Sequence, residues 1–181
     1  MNRNTWSLAG VVATLVLAAT ACTSTPTERS TGQAVDDTTL LSKVKGELIK
    51  SPRTEAHDID IEVYKGEVQL NGFVESADEK ASAAKIAGQV HGVKGVRNNL
   101  QVKANRTGGE VVDDTVITAK VKAALIGDTR TKAYQIEVTT NKGQVQLGGF
   151  VDTRGARAAA SEVAYAVTGV KSVSNGLEVK G

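Results

Sequence analysis

The chain has 181 residues, a formal net charge of +2 and an apolar share of 40%. With no basic arm and no interleaving of aromatic and basic residues, it lacks the footprint of a nucleic-acid binder. A single cysteine rules out an internal disulfide.

The first element is the N-terminal run MNRNTWSLAGVVATLVLAATAC. Arg3 supplies a basic start, and Trp6 to Ala19 is an apolar stretch too short to span a bilayer between polar flanks. Residues 1–21 therefore read as a signal peptide. The small residues Thr20 and Ala21 before Cys22 resemble a bacterial lipobox, which implies a lipidated Cys22 and an anchor in the outer membrane facing the periplasm. Ala19-Thr20-Ala21 also satisfies the ordinary A-x-A rule, so a soluble periplasmic product is the alternative. Residues 22–35 read as the lipidated cysteine and a flexible tether, poor in apolar content and reaching on the order of 20 Å.

The remainder is a tandem repeat. Residues 36–104 and 113–181 align without a gap, and 105–112 read as a linker. In each copy Asp-Asp-Thr opens a first helix, with Leu40, Val44 and Leu48, or Ile117, Val121 and Leu125, at helical spacing. The paired aspartates Asp36-Asp37 and Asp113-Asp114 are expected to cap those helices rather than to perform acid–base chemistry. Alternation then predicts a β-hairpin around Lys65-Gly66 and Lys142-Gly143, with Gly66 and Gly143 at positive φ. Gly72 and Gly149 share parity with the apolar strand residues, so they are expected on the helix-covered face, where a missing side chain lets a helix approach. An alanine-rich helix follows, about 76–90 and 153–167, with Ala81, Ala87, Ala158 and Ala164 as its close-packing residues. A last strand is expected over 96–102 and 173–179.

This order predicts an α+β chain of two units, each α-β-β-α-β, with two helices packed on one face of a small three-stranded sheet. The centre K-G-x-V-x-L-x-G-x-V and the ending G-V-x-x-V-x-N-x-L-x-V occur twice. Together with the element order they resemble the BON domain family. The resemblance implies binding of phospholipid, mainly anionic, and a part in outer-membrane integrity and osmotic or envelope stress tolerance. It implies contact through the first helix of the second unit.

No catalytic constellation is present: no P-loop, no Gly-x-Gly-x-x-Gly and no Ser-His-Asp spacing. The two histidines, His57 and His91, are not repeated between copies and have no further His or Cys to complete a metal site. The expectation is a non-catalytic chain with no cofactor, no metal, no small-molecule substrate and no nucleic-acid partner. Its partners would be membrane phospholipid and an envelope protein. Lys120, Lys122, Arg130, Lys132, Arg154 and Arg157 make the second copy more basic than the first, and they are the candidate lipid-binding set. Asn98 and Asn175 point inward and need hydrogen bonds, from backbone or from a ligand. Phe73 and Phe150, opposite in parity to the core, would lie on the open face of the sheet, covered locally or in contact with the other unit or a partner. The competing functional class is a protein-interaction or chaperone-like module of the osmotic response.

Overall fold

The computed structural model describes residues 31–54, 58–103, 108–131 and 135–180. Cys22, His57 and Lys132 lie outside the described residues, as do the expected signal peptide and most of the tether. The first repeat contains α1 (Thr31–Lys50), β1 (Ile59–Tyr64), β2 (Glu67–Val74), α2 (Ala77–Gln89), β3 (Gly95–Asn98) and β4 (Gln101–Val102). The second contains α3 (Gly108–Gly127), β5 (Ile136–Asn141), β6 (Gln144–Val151), α4 (Arg154–Tyr165), β7 (Ser172–Asn175) and β8 (Glu178–Val179).

In each repeat the second hairpin strand is central. β2 runs antiparallel to β1 and parallel to β3 and β4, and β6 does the same with β5, β7 and β8. The parallel pairing follows from the helix that crosses over between the strands. Lys65 and Gly66 both have positive φ, 53° and 85°, which is the two-residue turn that matches strand twist. Each helix pair buries its apolar stripe on its own sheet. Leu40, Val44 and Leu48 meet Val68, Leu70 and Val74 in one core. Ile117, Val121 and Leu125 meet Val145, Leu147 and Val151 in the other.

Four local expectations are corrected. First, α1 begins at Thr31 and α3 at Gly108, each five residues before its Asp-Asp pair. Residues 31–35 and 108–112 are therefore helical, and the aspartates do not cap. Asp37 is buried and its two oxygens accept from the backbone N–H groups of Lys65 (2.8 Å) and Gly66 (2.9 Å). Asp114 repeats this with Lys142 and Gly143, at 2.8 Å each. One carboxylate thus pins the hairpin turn to the first helix. Replacing Asp37 by asparagine leaves one acceptor for two donors, and the expected cost is about 1–2 kcal/mol, read as a lowered urea midpoint.

Second, the packed face of α2 is Ala83 and Ala87, and that of α4 includes Ala160 and Ala164. Ala81 and Ala158 are exposed, because they lie well round the helix from that stripe.

Third, the last strand is in two pieces. The side chain of Asn98 donates to Lys80 O (2.8 Å) and accepts from Leu100 N (3.3 Å). Asn175 donates to Arg157 O (2.8 Å) and accepts from Leu177 N (3.1 Å). Each asparagine ties the break in the strand to the crossing helix.

Fourth, what a side chain at Gly72 or Gly149 would meet first is strand backbone, not a helix. Their φ values are 115° and 113°, and a Cβ would collide with the carbonyl oxygen of Asp58 or Gln135, at the entry to the paired strand. The glycines are demanded by backbone conformation and by backbone approach.

The second face of each sheet is also covered, by the sheet of the other repeat. Gln69 and Gln146 are fully buried between the two sheets. The Gln69 side chain donates to Gly176 O and accepts from Gly149 N at 2.6 Å. The Gln146 side chain donates to Asn99 O at 2.5 Å and accepts from Gly72 N at 2.8 Å. The two sets of bonds are related by a pseudo-two-fold axis, as in an isologous dimer. Positive φ at Gly72 and Gly149 leaves their N–H groups available to this exchange. Phe73 is buried, and the Phe150 ring lies 5.2 Å from that of Tyr64 in the other repeat. Asn141 stands at the second repeat's equivalent of Tyr64, and its side-chain N–H is buried without a hydrogen-bond partner among the described residues.

Candidate functional site

With both sheets turned inward, the helices form the two outer layers. The ridge of α3 is apolar: Val116 is 46% exposed and Ile126 75%, with Ala119 and Ala123 exposed between them. Helical phase sets Lys120 on one flank of that ridge and Lys122 on the other. The equivalent ridge of α1 is Thr39, Ser42, Gly46 and Ile49, so three of its four positions are polar or lack a side chain.

The structure does not gather the six candidate cations into one patch of free charge. Lys120 is exposed and has no ion-pair partner among the described residues. Lys122 reaches round the edge strand β5 to Glu137, at 2.7 Å. Arg130 is held by Asp128 (2.8 Å) and Glu162 (3.2 Å). The Asp128 hydrogen bonds push the Arg130 pKa well above the usual guanidinium range, and Arg130 in turn lowers that of Asp128. Arg154 and Arg157 are exposed on the first turn of α4. Lys132 lies outside the described residues.

Glu137 sits beside another acidic group. Asp60, on β1 of the first repeat, accepts from the Thr139 hydroxyl at 3.1 Å. Burial raises the Asp60 pKa, and the charge of Glu137 adds to the rise; the Thr139 bond and Lys122 work against it. The Lys122–Glu137 pair therefore links the flank of α3 to the seam between repeats. Among the described residues there is no group of three side chains that could hold a metal ion. None of the described helices is long and apolar enough to cross a membrane.

The family model for the BON domain matches residues 36–104 and again residues 113–181. The chain belongs to the BON domain family. It is 36% identical to Osmotically-inducible protein Y of Escherichia coli (strain K12), over 82% of this chain and 75% of that one. It is 35% identical to the outer membrane lipoprotein DolP of Haemophilus influenzae, over 80% and 75%. It is 33% identical to a 21 kDa hemolysin of Actinobacillus pleuropneumoniae, again over 80% and 75%.

The two BON domains differ where their outer faces meet solvent, and the differences follow charge and partner rather than fold. The first BON domain keeps Glu75 and Asp58 around Lys103, at 2.6 and 2.5 Å. The second BON domain keeps Asp152 on Lys180, at 2.8 Å. The cations are legible in the sequence, and so is Asp128, two residues before Arg130; Glu137 and Glu162 are not, because they lie on different elements from the cations they hold. Sequence reading also passed over Gln69 and Gln146. In sequence, a glutamine alternating with apolar residues looks like a solvent-facing position.

Proposed function

We propose that this dual-BON chain is a non-catalytic envelope protein of the periplasm that contacts anionic phospholipid through the second domain. The observation that carries it is the apolar ridge of α3, Val116 to Ile126, flanked by Lys120 and Lys122. A helix with small apolar residues on its outer face and lysines beside them suits a headgroup surface. The relatives' names support the setting: one is an outer membrane lipoprotein and another is osmotically inducible. On this reading Cys22 carries the lipid that anchors the chain to the outer membrane, the preceding residues are removed, and the protein supports membrane integrity under osmotic stress.

A second reading is a protein-interaction module. The observation favouring it is that α3 has no aromatic residue and that Lys122 and Arg130 already hold acidic partners.

Vesicle flotation separates the two. The probe is residues 22–181 with Cys22→Ser, which retain every described element. Binding to phosphatidylglycerol vesicles is expected at low salt and should fall as salt rises, since exposed charges are screened within about 8–10 Å at physiological ionic strength. Lys120→Glu should weaken it at least about fivefold, at about 1 kcal/mol per cation near an anionic leaflet. Lys43→Glu, the same change on α1, should have little effect. No flotation on anionic vesicles at low salt would leave the protein-interaction reading standing.

A further inference from the structure

Between α3 and the edge strand β5 lies a groove of about 390 Å³, lined by Thr118, Ala119, Lys122, Val138, Thr139 and Thr140. Its floor holds an incomplete hydrogen-bond pair. Thr118 Oγ1 and Thr140 Oγ1 are 2.7 Å apart, and Thr140 is only 7% exposed. Two hydroxyls that share one hydrogen bond have one O–H left to donate. At the mouth stands Lys122, 44% exposed and paired with Glu137. Asp114, at one end, has its charge engaged by the N–H groups of Lys142 and Gly143. The Thr139 hydroxyl is already given to Asp60.

We propose that this groove is a phosphate site for a phospholipid headgroup, in which the lipid phosphate displaces Glu137 from Lys122 and accepts the spare hydroxyl proton of the Thr118–Thr140 pair. The proposal rests on the lipid-binding reading and deepens it. Ala119, exposed on α3, offers apolar contact to the glycerol beyond the phosphate. Glu137 is the resting occupant of the cation and sets a threshold that a weakly charged surface does not pass. Once displaced, it is left near Asp60, so lipid entry opposes two carboxylates at the seam between the domains.

The site belongs to the second domain alone. At the equivalent positions the first domain carries Leu41, Glu62 and Val63 in place of Thr118, Thr139 and Thr140. Both hydroxyls of the pair are gone there, and a carboxylate stands where an anion would enter. Lys45, the counterpart of Lys122, is retained, so the cation by itself does not distinguish the domains.

The test is amide NMR of residues 22–181 with Cys22→Ser. It is titrated with dihexanoylphosphatidylglycerol below its aggregation concentration and, separately, with inorganic phosphate. The lipid should shift the amides of Thr118, Thr139 and Thr140. Thr140→Val, which installs the side chain the first domain tolerates at Val63, should weaken binding about tenfold, as expected for a hydrogen bond to a charged group. Glu137→Gln should tighten it several-fold, while Glu162→Gln, the same change of charge beside Arg130, should leave Kd within about twofold. Equal gains from the two glutamates would reduce the effect to overall charge and overturn the groove. So would shifts confined to the outer ridge of α3, or an unchanged Kd for both Thr140→Val and Glu137→Gln. Inorganic phosphate acting as strongly as the lipid would make this a free-phosphate site and overturn the lipid assignment. Flotation that depends on Lys120 with unmoved groove amides would defeat the groove and leave lipid binding intact. Absence of any flotation would defeat the lipid reading itself.

Discussion

Gly72→Val should destabilise the first domain by about 2–6 kcal/mol, a sum of backbone strain and overpacking at about 1–3 kcal/mol each. The residue sits at φ 115°, which a β-branched side chain does not adopt without strain, and the new Cβ would meet the carbonyl oxygen of Asp58. Moving that carbonyl means moving the entry to β1, which pairs with Gly72 through Ile59. The same shift carries the Gly72 N–H away from Gln146. Gly149→Val should have a comparable effect on the second domain, through Gln135. Gly46→Ala is the control: nothing lies within 4 Å of its added Cβ, and in the middle of α1 the change should be neutral or stabilising by about 0.5–1 kcal/mol. Urea unfolding of the whole chain reads all three. An unchanged midpoint for both valine variants would show that the strands accommodate a side chain there.

Gln69→Leu should cost about 2–4 kcal/mol and loosen the two domains from each other. Leucine fills a similar volume but leaves the Gly149 N–H and the Asn71 side-chain N–H buried without their acceptor, at about 1–3 kcal/mol for each orphaned group, while Gly176 O keeps only the longer bond from Asn99. Gln146→Leu should match it, because that side chain serves Gly72 N–H and Asn99 O in the same way. Hydrogen exchange makes the effect local. The amide of Gly149 should lose protection in the first variant and that of Gly72 in the second, while the Val44 and Val121 amides in the helices stay protected longer. Equal protection of Gly149 in wild type and variant would mean that the sheets hold together without the glutamine.

The fold was legible because helical and strand periods alternate cleanly and do so twice. Val44 and Val121, or Leu70 and Leu147, fall on the buried stripe as their spacing requires. The register of the hairpins follows from Lys65-Gly66 and Lys142-Gly143. Helix starts were less legible. Asp-Asp-Thr is good cap chemistry, but the aspartate is used across space by a turn 28 residues away in sequence. The seam between domains was illegible for a different reason. It is polar, so Gln69, Asn71 and Gln146 keep the alternation of a solvated face while being buried. Of the candidate lipid site, the cations could be read from composition. That Lys122 is already engaged, and that Glu162 joins Asp128 on Arg130, depends on which strand and which helix lie opposite, and only the fold decides that.

The pseudo-two-fold seam is not symmetric in one respect. Asn71 and Gly148 are equivalent positions, as are Asn99 and Gly176, and each asparagine faces the glycine of the other copy. A Cβ at Gly148 would collide with the Asn71 side chain, and one at Gly176 would press on Asn99. Two first domains brought together in this manner would set asparagine against asparagine, and two second domains would leave a hole. A single such unit with a self-complementary sheet face could pair with its own copy. Joining two copies in one chain freed them to diverge, and the divergence has taken the form of a knob on one half and a socket on the other. The fused protein is thereby steered toward its own second half and away from a neighbouring molecule. Where many copies are crowded together, that preference keeps each chain a closed pair rather than a link in a polymer.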